Sequence, residues 1–395
     1  MEYPDIRKVI ESCHLNFLIG SGASKPYFET LNHIEAQLTE LASKDDISDD
    51  ERVVIEVSIK QFYFESCIEG NLSLMTARHT ELQETQSSYD AFLAALHTIL
   101  SKRRSNLVTR QVNMFTTNMD IFLDWSLEKL QLSFNDGFIG RLNAQFGTAN
   151  YHNIIKKTSS HYDYQSEVPL FNLFKLHGSV NWLTRATGIG YDYELKVLQQ
   201  IKSQKVPTQY LAQLFEEKDG VQVVRTINQL KAWLDDNQVA RREEHDKFLT
   251  AYGSLLMINP TKEKFETTTR DLTFYELLRM YSNHLERENS VLFVLGFSFA
   301  DEHIREITKR VAIANPTLLI IVFAYSKAAK ESIEKLLPPR PNIKYIFDSG
   351  GNEGEPIFYD LKTVTGKYFE RLASELEHGK VQKASPIELP TNEPA

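Results

Sequence analysis

The chain has 395 residues, of which 42% are hydrophobic and 25% are charged. This composition is typical of a folded globular protein and excludes a fibrous, collagen-like or largely disordered chain. With 44 Lys plus Arg against 53 Asp plus Glu, the formal net charge is -9, so we expect no direct nucleic-acid contact through a generally basic surface.

The apolar runs are too short to cross a membrane. The densest, 291–297 and 318–325, fall far below the roughly 20 residues that a spanning helix needs. The first ten residues contain acidic residues and a proline, unlike a cleaved secretion signal. Two cysteines, Cys13 and Cys67, are too few for a four-thiolate zinc site. We therefore expect a cytoplasmic protein with no membrane contact and no bound metal.

Seven short apolar runs predict the strands of a parallel sheet. They are continuously apolar rather than alternating, as expected where helices cover both faces. One strand, helix, strand sequence predicts a crossover, with Ile304, Ile307, Val311 and Ile313 on the apolar face of its helix. The expected fold class is α/β, with a parallel sheet of about six strands and helices on both faces. The seven runs are 15–20, 112–118, 170–178, 255–260, 291–298, 317–323 and 343–348.

Two long gaps between predicted strands carry helical patterns. About 90 residues separate the first two strands, and apolar residues recur there at i, i+3 and i+4. The second gap is charged and also helical in pattern. We expect one domain over 1–378, with helical insertions at about 27–105 and 191–250 that form a subdomain beside the sheet. Residues 379–395 contain three prolines and few apolar residues, which predicts a flexible tail or a partner-binding segment.

The first predicted strand ends in a turn of small residues, GSGASKP. Glycines let the backbone approach a phosphate closely, and a helix N-terminus supplies free N–H donors. We expect the turn to open a helix with Pro26 in its first turn. A plain strand-to-helix turn with Ser24 as N-cap stays open, because Lys25 stands where the dinucleotide fingerprint has a third glycine. The candidate phosphate-binding residues are Gly20, Ser21, Gly22, Ala23 and Ser24.

The second predicted strand ends in TTNMD, which comprises Thr116, Thr117, Asn118, Met119 and Asp120. In an open α/β sheet, ligands bind at the carboxyl ends of the strands. The alternative is that the amide or the acid only caps the helix predicted to follow.

Two further clusters also close predicted strands. KLHGS contains His177, whose imidazole can titrate near neutrality, although a lone histidine is usually structural. GFSFADEH contains Gly296 and Ser298, and Ser298 with Asp301 fits a capping box. We reject a metal at His303 because no second compact pair of ligands completes a site.

Taken together and in order, the four motifs resemble those of the sirtuin family, which implies a Rossmann-like fold. GSGAS is similar to the family's Gly-Ala-Gly-x-Ser phosphate loop, and TTNMD to its Thr-Gln-Asn-Ile-Asp signature. KLHGS resembles the segment with its catalytic histidine, and GFSF its late Gly-x-Ser strand. GFSFADEHI and INPTKEKF (258–265) look more like the sirtuin-like branch of bacterial anti-phage defence. Within that branch, the chain resembles the subunit paired with a HerA-type hexameric ATPase.

Two departures from deacylating sirtuins change the expected activity. Those enzymes carry a zinc ribbon of two Cys-x-x-Cys pairs, which this chain cannot build, so we expect helices in its place and no zinc ribbon. PYFETL (26–31) stands where they have Gly-Ile-Pro-x-Phe-Arg, which argues against an acyl-lysine groove.

Sirtuins cleave the bond between nicotinamide and ribose, with oxocarbenium-like charge on the sugar. Without an acyl-lysine, water is the remaining nucleophile, so the resemblance implies NAD hydrolysis to nicotinamide and ADP-ribose. By motif position, Asn118 orients the water or ribose, Asp120 binds the carboxamide and His177 accepts a ribose hydroxyl hydrogen bond or proton. The expected cofactor-binding residues are Gly20, Ser21, Gly22, Ala23, Ser24, Thr116, Thr117, Gly296 and Ser298.

Three alternatives remain: an NAD-dependent protein deacylase, a non-catalytic subunit that senses NAD or ADP-ribose, and a nuclease acting through a partner. Retention of Asn118, Asp120 and His177 argues against the sensor. An enzyme that destroys NAD must be held inactive in healthy cells, so we expect control by homo-oligomerisation or by the ATPase partner.

Overall fold

The structure is a computed structural model. It describes residues 1–30, 32–74, 76, 79–103, 108–161, 164–258, 272–348 and 356–378. The predicted tail at 379–395 and nearly all of the INPTKEKF segment lie outside the described residues.

The described residues form fifteen strands, distributed over one large sheet and three small ones. In chain order the strands are β1 (His14–Ile19), β2 (Gln111–Thr116), β3 (Phe134–Asn135), β4 (Phe138–Ile139), β5 (Gln145–Phe146), β6 (Lys156–Thr158), β7 (Gln165–Glu167), β8 (Leu170–Lys175), β9 (Trp182–Arg185), β10 (Gly188–Tyr191), β11 (Phe215–Lys218), β12 (Val221–Val224), β13 (Ser290–Leu295), β14 (Leu319–Phe323) and β15 (Ile343–Ile346).

Helices account for most of the remaining described chain. They are α1 (Tyr3–Ser12), α2 (Asn32–Ala42), α3 (Asp49–Tyr63), α4 (Thr80–Lys102), α5 (Phe122–Lys129), α6 (Lys196–Ser203), α7 (Ile227–Asn237), α8 (Glu243–Tyr252), α9 (Leu272–Glu286), α10 (Glu302–Ala314), α11 (Lys327–Leu336), α12 (Leu361–Val364) and α13 (Arg371–His378). Among these helices, none is both long and apolar enough to pass through a bilayer.

The large sheet has seven parallel strands in the order β15, β14, β13, β1, β2, β8, β3. The chain builds outward from β1 through β2 and β8, and then returns to the other side of β1 to add β13, β14 and β15. In such sheets the crevice at this reversal, outside the carboxyl ends of the strands, is the usual ligand site. The expected α/β fold with a parallel sheet is confirmed.

Six of the seven predicted runs form strands of this sheet, and the prediction for 255–260 is wrong over its described part. Residues 255–258 form no strand, and Met257 makes a single antiparallel bridge with Gly178 in the loop after β8. The seventh strand is β3, whose two residues are too few to stand out as an apolar run.

Helices cover both faces of the sheet because side chains alternate along each strand. Phe17 packs with residues of α4 and of the segment around α12 and α13, whereas Leu18 packs with α9, α10 and α11. One predicted core position is wrong: Ile313 is 61% exposed. At 100° per residue it lies half a helical circumference from Ile304, which is fully buried.

Four asparagines lie in register across β1, β2, β8 and β3. Asn113 donates to Asn16 Oδ1 at 2.9 Å, and Asn172 donates to Asn113 Oδ1 at 3.0 Å. Asn113 Nδ2 also lies 3.1 Å from His284 Nδ1 on α9. Buried amides need partners, so this ladder favours one register of the central strands.

The segments predicted as insertions pack against each other. Residues of α2, α3 and α7 share one apolar cluster with Leu214. Gln61 of α3 donates to Val206 O and accepts from Val206 N, and Ser58 accepts from Ala212 N at 2.8 Å. The second segment is not purely helical, because β11 and β12 form a hairpin within it. Strands β4, β5, β10 and β9 add an antiparallel sheet that the sequence did not predict.

Candidate active site

The loop after β1 and the loop after β13 touch backbone to backbone at the topological reversal. Gly20 N donates to Leu295 O at 2.9 Å, and Gly22 N donates to Gly296 O at 3.0 Å. A Cβ on Gly20 would lie 2.6 Å from Gly296 O, and one on Gly296 only 2.4 Å from Ala23 N. Gly296 also has φ +61°, a conformation that glycine adopts without cost. Glycine is therefore needed for this contact.

The small-residue turn does not open an α-helix as the sequence predicted. Ser21–Ser24 form one 3-10 turn, Pro26 lies in the turn that follows, and the next α-helix begins at Asn32. Ser24 is consequently not an N-cap. The helical conformation ends after this single turn. Ser24, its last residue, is buried and only 1% exposed.

Ser24 joins the first and second motifs. Its Oγ donates to Asp120 Oδ2 at 2.7 Å, accepts from Asn118 Nδ2 at 3.1 Å, and lies 3.0 Å from the Tyr89 hydroxyl. A hydroxyl has one proton and two lone pairs, so donation to the carboxylate makes Tyr89 the donor of its own contact. Ser24 thus fixes the amide and the acid relative to each other.

Burial sets the electrostatics around this hydroxyl. It raises the pKa of Asp120 above its ordinary range, against the opposing effects of nearby Lys175 and of hydrogen bonds from Ser24 and Phe122 N. It also raises the pKa of Tyr89, and the charge of Asp120 adds to that effect. The Tyr89 hydroxyl therefore stays protonated and can donate a hydrogen bond to Ser24 Oγ.

The side-chain nitrogen of Asn118 forms hydrogen bonds to the protein, whereas its side-chain oxygen forms none to the described residues. Nδ2 donates to Gly20 O and to Ser24 Oγ, each at 3.1 Å. Oδ1 is buried without a hydrogen-bond partner among the described residues, and the residue is 7% exposed. The two threonines hold the loop beneath it: Thr116 Oγ1 donates to Ile19 O and accepts from Asn118 N, and Thr117 N donates to Ile19 O.

Two residues to which the sequence assigned no role support the second motif. Lys175, at the end of β8, is 2% exposed, pairs with Asp124 Oδ2 at 2.8 Å and donates to Asp120 O. A lysine inside an apolar strand was the available signal, because a buried cation requires partners. Tyr89 gave no such signal, since an aromatic residue on the apolar face of a helix is usually core.

The third motif joins the second through backbone contacts and the fourth through a side chain. Leu176 N donates to Thr116 O at 2.8 Å, and Val180 N donates to Met119 O at 3.0 Å. His177 Nε2 lies 3.2 Å from Asp301 Oδ2. Gly178, which follows, has φ +79°, and a Cβ there would lie 2.2 Å from Leu256 O.

In the fourth motif, the predicted capping box of Ser298 and Asp301 is wrong. Asp301 is itself the N-cap of α10 and accepts from Ile304 N at 3.0 Å through Oδ1. Ser298 is exposed and accepts from Ala300 N at 3.4 Å. The helix begins at Glu302, four residues after Ser298, which places the serine in the loop rather than at the cap.

The four predicted motifs therefore form one connected set at the carboxyl edge of the sheet. Among the residues that the structure describes, no group of three or more histidine, cysteine, aspartate or glutamate side chains is placed to hold a metal ion.

The fold is that of a Rossmann-like α/β protein, and the four motifs lie together at the carboxyl ends of its strands, where the strand order reverses. Residues 209–344, about a third of the chain, match a family model described as a SIR2-like domain. That range contains Gly296, Ser298 and Asp301, whereas the glycine turn, Asn118 and His177 precede it. No curated protein matches the chain.

Two solved structures are similar to the chain over nearly its whole length. One is a mutant Sir2 homologue in complex with ADP-ribose, at 12% identity and a TM-score of 0.40, with 98% of this chain and 100% of that chain covered. The other, described as the structural basis for the mechanism and regulation of Sir2 enzymes, has 11% identity and a TM-score of 0.36, with 96% and 100% covered.

Proposed function

We propose that this protein is a sirtuin-like NAD hydrolase that cleaves the bond between nicotinamide and ribose, giving nicotinamide and ADP-ribose. The observation that carries the proposal is that Asn118 and Asp120 both form hydrogen bonds to Ser24, a residue of the glycine turn. The match of residues 209–344 to a SIR2-like domain supports the same assignment.

The proposed role of Asn118 follows from the atom that the protein leaves for a ligand, and the roles of Asp120 and His177 follow from their positions in the motifs. Asn118 Oδ1 accepts a hydrogen bond from the attacking water or a ribose hydroxyl, because Nδ2 is already committed to Gly20 and Ser24. Asp120 faces the nicotinamide carboxamide, and His177 accepts the ribose hydroxyl hydrogen bond or proton. Holding the reacting groups in place contributes more here than basicity does.

Most backbone amides of the glycine turn are not free to bind a phosphate. The amides of Gly20, Gly22 and Ala23 all donate to carbonyls within the protein, and the Ser24 hydroxyl is buried. The exposed Ser21 is the residue of the turn best placed for the pyrophosphate. Gly296 and Ser298, both exposed, line the adenosine side.

Hydrolysis is favoured over deacylation because the chain has only two cysteines, fewer than the four of the deacylase zinc ribbon. A deacylase would release nicotinamide faster when given an acetylated peptide and would form O-acetyl-ADP-ribose. A non-catalytic sensor would bind ADP-ribose and leave NAD intact.

The deciding experiment incubates the purified protein with NAD and measures nicotinamide and ADP-ribose by chromatography. We expect His177→Ala and Asn118→Ala to lower nicotinamide release by about 100-fold or more, the usual scale for losing an acid–base or positioning group. His378→Ala and Asn237→Ala change exposed residues of the same types and serve as controls. An unfolding transition at the wild-type temperature shows that each variant is folded. Wild-type turnover by either site variant would contradict the assigned role.

We further propose that the activity serves anti-phage defence and is controlled by assembly, either as a homo-oligomer or with a HerA-type hexameric ATPase. Unregulated NAD hydrolysis would harm the host. The test compares NAD turnover per subunit across protein concentrations and with or without the ATPase. Equal turnover under all conditions would refute control by assembly.

A further inference from the structure

The contact between His177 and Asp301 is explained neither by helix capping nor by the pairing of adjacent strands. His177 Nε2 lies 3.2 Å from Asp301 Oδ2, and the two side chains are only 14% and 7% exposed. The histidine follows β8 and the aspartate follows β13, and both β1 and β2 lie between these strands in the sheet. The loops after β8 and β13 therefore meet across the ends of the two strands between them.

We propose that Asp301 is the positioning residue for His177. The inference rests on the proposed function, because it assigns His177 a role in NAD cleavage. A carboxylate oxygen 3.2 Å from Nε2 favours the tautomer that carries its proton on Nε2, and this tautomer leaves the lone pair on Nδ1. In an uncharged imidazole, this fixes both the tautomer and the ring orientation, so that Nδ1 is the atom that accepts the ribose hydroxyl hydrogen bond or proton.

The aspartate is well suited to this role because its other oxygen is already fixed. Oδ1 accepts from Ile304 N at the start of α10, which orients the carboxylate plane. The same loop is anchored at Gly296 against the glycine turn. Asp301 thus transmits the position of the glycine turn to the imidazole. The competing explanation is that Asp301 only caps α10, and the two explanations predict different results for substitutions that preserve the cap.

The experiment uses Asp301→Asn and Asp301→Ser in the full chain. Asparagine and serine are N-caps as good as aspartate, so both variants keep the start of α10 while removing the carboxylate from His177. We expect kcat for nicotinamide release to fall by about 100-fold or more, with a much smaller change in KM, as when a catalytic histidine loses its carboxylate partner. Glu302→Gln changes the adjacent acid, whose side chain is 78% exposed, and should keep the wild-type kcat.

A second measurement does not depend on turnover. In protein labelled with ¹⁵N at histidine, ring proton–nitrogen correlations report which nitrogen of each imidazole carries the proton, and His177→Gln identifies the signal of interest. We expect the wild type to show the proton of His177 on Nε2, and Asp301→Ser to show a mixture of tautomers.

The two measurements separate failure of this inference from failure of the proposed function. An unchanged tautomer in Asp301→Ser, or a wild-type kcat in both variants, overturns the role of Asp301. If the wild type does not cleave NAD, the proposed function is wrong, and so is the catalytic part of this inference. In that case a tautomer change in Asp301→Ser supports only the orienting contact, and an unchanged tautomer rejects that too.

Discussion

The contact between the two glycine loops predicts a specific cost for Gly296→Ala. Gly296 has φ +61°, which disfavours an L-residue by roughly 1–2 kcal/mol. The new Cβ would also lie 2.4 Å from Ala23 N and 2.7 Å from Gly22 C, and real Cβ atoms essentially never approach so closely. Because these are backbone atoms, one loop has to move, and overpacking of this kind costs about 1–3 kcal/mol. We expect the free energy of unfolding to fall by about 2–5 kcal/mol.

Gly220→Ala is the matched control for this substitution. Gly220 has φ +77° in the turn between β11 and β12, and nothing lies within 4 Å of a Cβ built there. This variant incurs only the backbone cost of roughly 1–2 kcal/mol. Urea denaturation measures both variants, and titration calorimetry with ADP-ribose measures binding. We expect Gly296→Ala alone to weaken binding, because it displaces the glycine turn. Equal losses of stability and equal binding in the two variants would refute the loop-contact argument.

Two further predictions concern the polar groups inside the fold. Asn113→Ala removes the central amide of the asparagine ladder and leaves buried groups of its neighbours unpaired, so the free energy of unfolding should fall by about 3 kcal/mol. The control Asn237→Ala changes an exposed asparagine and should alter this free energy little. Equal effects of the two substitutions in denaturant titrations would contradict the ladder's contribution to stability. Burial lowers the pKa of His14 and of His284 from 6.5 to about 4, so the unfolded chain binds more protons than the native protein between these values. The resulting stability is complete above pH 6.5 and is lost toward pH 4, by up to about 1.4 kcal/mol per pH unit for each histidine. His284→Gln should reduce that slope, and an unchanged slope would rule out its contribution.

The sheet was predictable because its strands are buried on both faces. The runs at β13 and β14 are continuously apolar and lack the alternation with polar residues that a half-exposed strand would show. The small antiparallel sheet and the hairpin β11–β12 were missed for the opposite reason. Their strands are only two to four residues long and mix buried, half-buried and exposed residues, so they leave no continuous apolar run to detect.

The sequence indicated four motifs that the structure brings together, but the predictions for individual hydrogen bonds within them were wrong. Ser24 as a cap and Ser298 with Asp301 as a capping box both followed from local spacing, and tertiary contacts overrode both. Ser24 bonds to Asp120, which is 96 residues away in sequence, and Asp301 lies beside His177, which is 124 residues away. Local patterns report only neighbours in sequence, whereas each of these partners is delivered by a different strand.

The order of the strands explains all but one of the contacts among the four motifs. Across β13, β1, β2 and β8, the motifs that follow adjacent strands touch through Gly22 and Gly296, through Ser24 and Asn118, and through Thr116 and Leu176. Any sheet with this order would bring such loops together. The contact between His177 and Asp301 instead joins the motifs that follow β8 and β13, the two strands of this set that lie farthest apart. The sheet does not impose this link, so the loop sequences must specify it. Removing the Asp301 carboxylate therefore tests the proposed role of the contact without changing the strand order.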